Sequence, residues 1–403
     1  MPTTGSEVGE IFRRYSSAFL DARGDSISHE QRRVLASVAD CRTAALGGHV
    51  KECDQCGHLE VFYNSCRHRA CPKCLGAASA RWLDARRAEL LPVPYFHVVF
   101  SIPEKLQQLA LQNKKVVYDI LFRSVSETLH QIAGDPQHLG AQITFLAILH
   151  TWGQSLLHHP HIHCVIPGGG LSPDKSRWIP CRDEFFLPVR VLSRLFRGKF
   201  LALVQAAFDK GKLSCHGRLA HLVDPPAFKN LLQSTRSTEW VVYCKPPFGS
   251  PDQVLKYLAR YTHKVAIANS RLVSIDEGVV TFRYKDYKRN NASRVMKLEA
   301  TEFIRRFLLH VLPKSFVRIR HYGFLANRVR KGNIALCHDL LGVPDLNLAP
   351  ERSTTEQSEG ITTSVDAHGT NCPVCGKGRL VEVRELQPGE AGPPCHRLAW
   401  DTS

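Results

Sequence analysis

The chain has 403 residues, with 53 Lys and Arg against 37 Asp and Glu and a formal net charge of +16. That length accommodates two or three domains around a sizeable main core, and the charge suits a polyanionic partner, nucleic acid first. No apolar run approaches the roughly 18 residues of a membrane span and the N-terminus lacks a secretory apolar stretch, so the chain reads as cytoplasmic, where its 14 cysteines point to metal binding or buried thiols over disulfides.

Glu7 to Ala45 reads as helical, because EIFRRYSSAFL and HEQRRVLASVADCR carry apolar residues at three- and four-residue spacing. The next stretch, CDQCGHLEVFYNSCRHRACPKC, sets Cys53-x-x-Cys56 and Cys71-x-x-Cys74 on either side of a short β-like run. Two such knuckles have the spacing of a four-thiolate zinc site, with His58, Cys66 and His68 as spare candidates. A closed four-ligand site is structural, so this module is assigned to folding and DNA docking, with Arg67, Arg69, Lys73 and Arg81 beside it as phosphate contacts. From Ala77, AASARWLDARRAELL predicts a helix that runs to the breaker Pro92-Val93-Pro94 and closes a first unit, residues 1–92.

Residues 93–343 form the second unit. YFHVVFSIP and ITFLAILHTW read as strands, with one or two helices between Lys105 and His130. ITFLAILHTW then leads through a turn into HPHIHCVIP, its antiparallel neighbour. In that strand His161 and His163 share one face, because side chains alternate at period 2, while Ile162 and Cys164 turn to the core. Two neutral imidazoles on one rigid element suit a divalent metal ion. With 20 histidines in the chain, roughly one His-x-His is expected by chance, so the triplet needs support from elsewhere. A hairpin sets Gln154 or His150 close to it; Gln154, in HTWGQ, is the candidate third ligand, with a structural role in the hairpin as the alternative. Gly168-Gly169-Gly170 leaves backbone free of side chains beside the site. His158 and His159 are read as loop histidines near the DNA path.

FLPVRVLSRLFRGKFLALVQAAF predicts an amphipathic helix pair, and WVVYCKPP a strand. In SPDQVLKYLARYTHKVAI, Ser250 serves as N-cap, Pro251 fits the first helical position and Gln253 completes a capping box. Tyr257, Tyr261 and Lys264 then stand at i, i+4 and i+7, on one face of that helix. SRLVSIDEGVVTFRYKDYK reads as a hairpin turning at Asp276-Glu277-Gly278. Its Arg283, Lys285, Lys288 and Arg289 interleave with Phe282, Tyr284 and Tyr287, a pattern in which cations track phosphates and rings stack on unpaired bases. LEATEFIRRFLLHVLP predicts a further helix, and FVRIRHYGFLANRVRK a basic strand and turn carrying Arg318 and Arg320. Residues 344–403 read as a disordered linker, ERSTTEQSEGITTSVDAHGT, and a small tail whose knuckle, Cys372 and Cys375, is open to completion by Cys395 and His396. The expected class is α+β, an antiparallel sheet flanked by helices and preceded by a small zinc-binding module.

HTWGQSLLHHPHIHCVIPGGGL followed by KYLARYTHK, together with the early cysteine cluster and FIRRFLLHVLPKSFVRIRHYGFLANR, resembles the rolling-circle insertion-sequence transposases, two-tyrosine HUH endonucleases. The resemblance covers most of residues 30–335. It implies an HUH-type sheet, Mg²⁺ or Mn²⁺ held by His161 and His163, and Tyr257 and Tyr261 as nucleophiles toward single-stranded DNA, with Lys264 and the ion stabilising phenolate and phosphorane charge. It also implies a 5′-phosphotyrosine link and a free 3′-hydroxyl that host replication machinery can extend. In the family a His stands just before the third knuckle cysteine; here Ala70 takes that position and His68 stands two residues earlier. Two rival readings compete. A non-catalytic zinc-dependent DNA-binding regulator would keep the cysteines, the charge and the basic hairpin, whereas a metallohydrolase built on His158 to His163 would leave the paired tyrosines superfluous.

Overall fold

The structure, a computed structural model of the chain, describes residues 6–74, 82, 86–87, 89–182, 186–248, 253–254, 265–286, 289, 292–326, 329–342 and 371–393. A five-stranded antiparallel sheet lies at the centre, in the order β12 (Ile319–Tyr322), β4 (Phe145–Trp152), β5 (His158–Pro167), β3 (Tyr95–Ser101) and β8 (Val242–Phe248). The three strands expected from YFHVVFSIP, ITFLAILHTW and HPHIHCVIP are its middle members, with the His-x-His strand in the centre. Alternation assigns the faces. Phe96, Val98, Phe100, Ala147, Leu149, Ile162, Cys164 and Ile166 share one buried face, and the opposite face carries His97, His150, His161 and His163.

The apolar face packs on helices. Between the strands, α3 (Gln107–Gln112) and α4 (Lys114–Gly134) are two helices joined at Asn113, whose Oδ1 accepts the Ser214 N–H at 2.7 Å and whose Nδ2 donates to the Ser214 carbonyl at 2.8 Å. Beside α4 runs α5 (Val189–Asp209), one continuous 21-residue helix where a pair was expected. Its interior Gly198 costs about 1 kcal/mol of helix propensity, which the buried stripe Leu192, Phe196, Phe200, Leu201 and Val204 outweighs. Helix α6 (Pro225–Arg236) opens with Asp224 accepting the Ala227 N–H at 3.1 Å, and completes this layer.

A second core lies in another part of the molecule. The expected hairpin is present as β9 (Leu272–Asp276) and β10 (Val279–Asp286), turning through Glu277 at φ 47° and Gly278 at φ 79°, the left-handed pair a type I′ turn requires. A third strand, β11 (Ala292–Glu299), pairs with β10, and α7 (Ala300–Leu309) follows it directly. Against them lie α1 (Val8–Arg23) and α2 (His29–Asp40), the latter opened by a complete capping box between Ser28 and Gln31. Phe12 meets Phe307 edge-on at 5.2 Å, and Ile275, Val280, Phe282, Phe303 and Ile304 join the same cluster. The expected division at residue 92 therefore does not separate two cores, because the N-terminal helices bury their apolar stripes against residues 265–311.

A further three-stranded sheet joins residues 48–63 to residues 380–386. Its order is β13 (Leu380–Leu386), β1 (Gly48–Cys53), β2 (Leu59–Tyr63), all antiparallel. The tail that read as an appendage is thus a strand of the N-terminal module over residues 380–386; residues 344–370, read as a disordered linker, lie outside the described residues. A short hairpin, β6 (Gly169–Leu171) with β7 (Trp178–Pro180), and α8 (Arg330–Leu340) complete the described elements. No helix among them is long and apolar enough to cross a membrane.

Candidate metal centre and nucleic-acid interface

His161 and His163 stand on one face of β5, as period 2 demands, and the ladder adds a third imidazole. His150 of β4 is the direct cross-strand partner of His161, so its ring meets those of His161 and His163 at centroid distances of 5.4 and 4.4 Å. One donor atom from each of the three lies within 4.8 Å of the others, and among the described residues no carboxylate joins the group. Burial lowers the pKa of His161 to about 4 and that of His163 well below its ordinary value, so both are neutral at physiological pH. Each also has one ring nitrogen engaged. His161 donates Nδ1–H to the His159 carbonyl at 2.7 Å, and Nδ1 of His163 is 2.8 Å from Nε2 of buried His97. Neutral imidazoles whose Nδ1 is held by hydrogen bonds offer Nε2 as a lone-pair donor, the usual outer-shell arrangement around a metal. The residues present therefore fit a divalent ion.

Gln154, the expected third ligand, is elsewhere. Its Oε1 accepts the backbone N–H of Lys285 at 3.3 Å and its carbonyl accepts from Arg271 at 2.7 Å, so it ties the β4–β5 turn to β10. A register shift between His150 and Trp152 ends regular pairing before the turn, and His150 holds the place beside the histidine pair. Gly168 to Gly170 do not border the site either. They begin five residues beyond His163, roughly 16 Å along the strand, and serve close packing: a Cβ on Gly169 would lie 2.6 Å from the Ile179 carbonyl, and one on Gly170 2.4 Å from that of Gln142. His158 is buried and paired with the Tyr118 hydroxyl at 2.8 Å, and His159 contacts Gln107, so both are strand residues with structural partners.

Tyr257, Tyr261 and Lys264 lie outside the described residues, as do Lys288 and Arg81; of the helix expected from Ser250, Gln253 and Val254 are described and helical. On the three-stranded sheet Arg283, Lys285 and, beyond its end, Arg289 are exposed, which suits the expected phosphate contacts. Arg320 is not available for that role: it donates to Asp119 at 2.5 Å and lies 4.0 Å above the Phe122 ring. Arg318 reaches solvent only in part, and burial pulls its guanidinium down to about 10. In the N-terminal module Arg69 donates to the carbonyls of Leu312, Pro313 and Phe316, and Lys73 pairs with Glu7 at 2.6 Å, so both fasten the module to its surroundings instead of meeting phosphate. One cation was missed: Lys245 of β8 is exposed, pairs with His97 across the sheet, and its charge helps to lower His97 and His163. Alternation along WVVYCKPP was the signal for it.

The cysteines pair differently from expectation. Cys71 and Cys74 gather with Cys41 and Cys66, whose Sγ atoms each lie 3.6 Å from that of Cys74. For Zn–S bonds of about 2.3 Å a tetrahedron has S–S edges of about 3.8 Å, so the four thiols fit a structural zinc ion, with Cys66, held as a spare, among the residues that would hold it. His68 is not one of them; its Nδ1 accepts the Ala70 N–H at 3.1 Å. Cys53 and Cys56 leave this group and meet Cys372 and Cys375. The two knuckles that look like one site in sequence are parts of two clusters.

Two family models match the chain: "Putative transposase" over residues 144–333 and "Transposase zinc-binding domain" over residues 11–102. The chain is 53% identical over 407 residues to "Putative transposase y4qJ" of Sinorhizobium fredii (strain NBRC 101917 / NGR234), covering 100% of both. It is 28% identical over 301 residues to the transposase for insertion sequence element IS801 of Pseudomonas savastanoi pv. phaseolicola, covering 73% of this chain and 70% of that one. A metal-free structure of the conjugative relaxase TrwC in complex with oriT DNA aligns with 61% of this chain and 73% of that one, at 15% identity and a TM-score of 0.23, a likeness too slight to bear on fold or activity.

Proposed function

The chain belongs to the IS91-type rolling-circle transposases, and from that membership we propose that it cleaves and rejoins single-stranded DNA through 5′-phosphotyrosine intermediates. The observation that carries the reading is the group His150, His161 and His163, three imidazoles converging on one sheet face, two of them held neutral by burial. A divalent ion bound there supplies Lewis-acid polarisation of the scissile phosphate. Histidine donors without a carboxylate favour Mn²⁺ over Mg²⁺, because Mg²⁺ is the harder ion and holds to oxygen donors.

Tyr257 and Tyr261 are assigned as nucleophiles. The phenol oxygen of one attacks phosphorus and loses its proton, the P–O3′ bond breaks, and the 3′ oxygen leaves as a hydroxyl. Bond energy is kept in the phosphotyrosine, so no nucleotide cofactor is needed for rejoining. A phenol with an ordinary pKa near 10 is mostly protonated at neutral pH, which gives Lys264 and Lys245 the task of stabilising phenolate and phosphorane charge. Two phenols let a second strand be cut while the first stays attached.

The test is a covalent adduct on a denaturing gel with a labelled single-stranded oligonucleotide carrying the element's end. Adduct should form with Mn²⁺, need more Mg²⁺ for the same yield, and vanish on chelation. Tyr257→Phe and Tyr261→Phe should each keep some adduct and block full transposition, and the double variant should form none. Adduct from the double variant rejects these nucleophiles. No adduct from the parent chain with either ion, while it still binds the oligonucleotide, favours the non-catalytic regulator.

A further inference from the structure

We propose that Cys53, Cys56, Cys372 and Cys375 hold a second structural zinc ion, which staples the C-terminal knuckle of the chain to the N-terminal one. The two knuckles are built alike. Gly57 at φ 70° returns its N–H to the Cys53 carbonyl at 3.0 Å, and Gly376 at φ 68° returns its N–H to the Cys372 carbonyl at 3.0 Å. The Sγ atoms of Cys53 and Cys375, and those of Cys56 and Cys372, are 3.7 Å apart. A disulfide would need about 2.05 Å, whereas a tetrahedral zinc–thiolate site needs about 3.8 Å.

The backbone is arranged around the sulfurs. Gly378 donates its N–H to Cys375 Sγ at 3.3 Å, and a Cβ on Gly378 would lie 2.3 Å from Cys53 Sγ, so that position tolerates only glycine. Asp54 joins the knuckles again, its backbone N–H donating to the Arg379 carbonyl at 3.1 Å and its Oδ1 accepting the Arg379 N–H at 2.9 Å. The sheet β13-β1-β2 has little else to hold it together. Among the described residues its strands bury only the side chains of Val50, Leu380 and Leu386 beyond the cysteines, while Val381 and Val383 face outward at about half exposure. A sheet this small, with so little apolar burial, needs a covalent or metal cross-link. Four thiolates in a closed set select zinc among common divalent ions.

The consequence is topological: residues 371–393 fold only with the hairpin of residues 48–63, so the module closes when that segment arrives. Metal analysis of the purified full chain should find two zinc ions, and one after Cys372→Ser with Cys375→Ser. A protease site inserted between residues 351 and 370 supplies a test that does not depend on those variants folding. After cleavage the C-terminal fragment should stay with the body through gel filtration and leave when a zinc chelator is added. One zinc in the full chain, two in the double variant, iron in place of zinc, or a fragment that leaves without chelation each overturns the proposal. None of these readouts involves DNA cleavage, so the staple and the nuclease reading stand or fall separately.

Discussion

His97 is not part of any metal-ligand motif, yet its Nε2 is 2.8 Å from Nδ1 of His163 and the two rings are nearly parallel, 8° apart. Burial, then Lys245 and His161, lower its pKa to about 3, so it is neutral and accepts the His163 Nδ1–H, which keeps Nε2 of His163 as the donor toward an ion. Removing such an outer partner costs roughly 10- to 100-fold in metal affinity or activity. His97→Ala is accordingly expected to shift the Mn²⁺ concentration for half-maximal adduct upward by about that factor, with partial rescue by His97→Gln. An unchanged Mn²⁺ curve would show that His97 only fills space. Lys245→Ala should weaken oligonucleotide binding and reduce the log–log salt slope by about 0.7, one phosphate contact on a single strand; an unchanged slope would place the DNA away from β8.

At the scale of elements, α7 is fastened by Glu302, whose carboxylate accepts from Arg305 at 2.6 and 2.8 Å and from Arg306 at 2.7 Å. Arg306 also donates to the Ser155 carbonyl at 3.0 Å, which links the helix to the β4–β5 turn and so to the strands bearing the histidines. The Arg305 hydrogen bonds are the largest cause that holds the Glu302 carboxyl near 2 against an ordinary 4.5. A folded value below the unfolded one contributes stability that is complete above about pH 4.5, shrinks as pH falls and is gone near pH 2. The group is partly exposed, so the contribution is about 0.5–1 kcal/mol. Glu302→Gln should lower the melting temperature by about 1 °C at pH 7, with the difference from the parent closing toward pH 2. A difference that persists at pH 2 would mean the glutamine disturbs packing instead.

For the whole molecule, the shared core decides how it comes apart. Phe12 is fully buried against Phe307, so α1 and α7 lose one cluster together. Phe12→Ala should cost about 3–5 kcal/mol and raise hydrogen exchange in residues 300–309 as well as in residues 8–23. A rise confined to the first 92 residues would restore the separate N-terminal domain expected from sequence.

Local order was legible in sequence because its causes are local. Period 2 put His161 and His163 on one face, and Asp276-Glu277-Gly278 marked the turn that joins β9 to β10. Cysteine spacing likewise announced a thiolate metal site. Partner choice was a tertiary decision. Cys53-x-x-Cys56 is chemically equivalent to every other such knuckle, and only the pairing of β1 with β13, more than 300 residues away in the chain, sends it to Cys372 and Cys375 while Cys41 and Cys66 take its place beside Cys71. His150 displaced Gln154 for a related reason: strand register, set by burial along β4 and β5, fixes which residue faces His161. Charge alone did not tell Arg283 from Arg320, since a guanidinium serves a carboxylate and a phosphate equally well, and only the tertiary structure engages Arg320 with Phe122 and Asp119 while leaving Arg283 exposed.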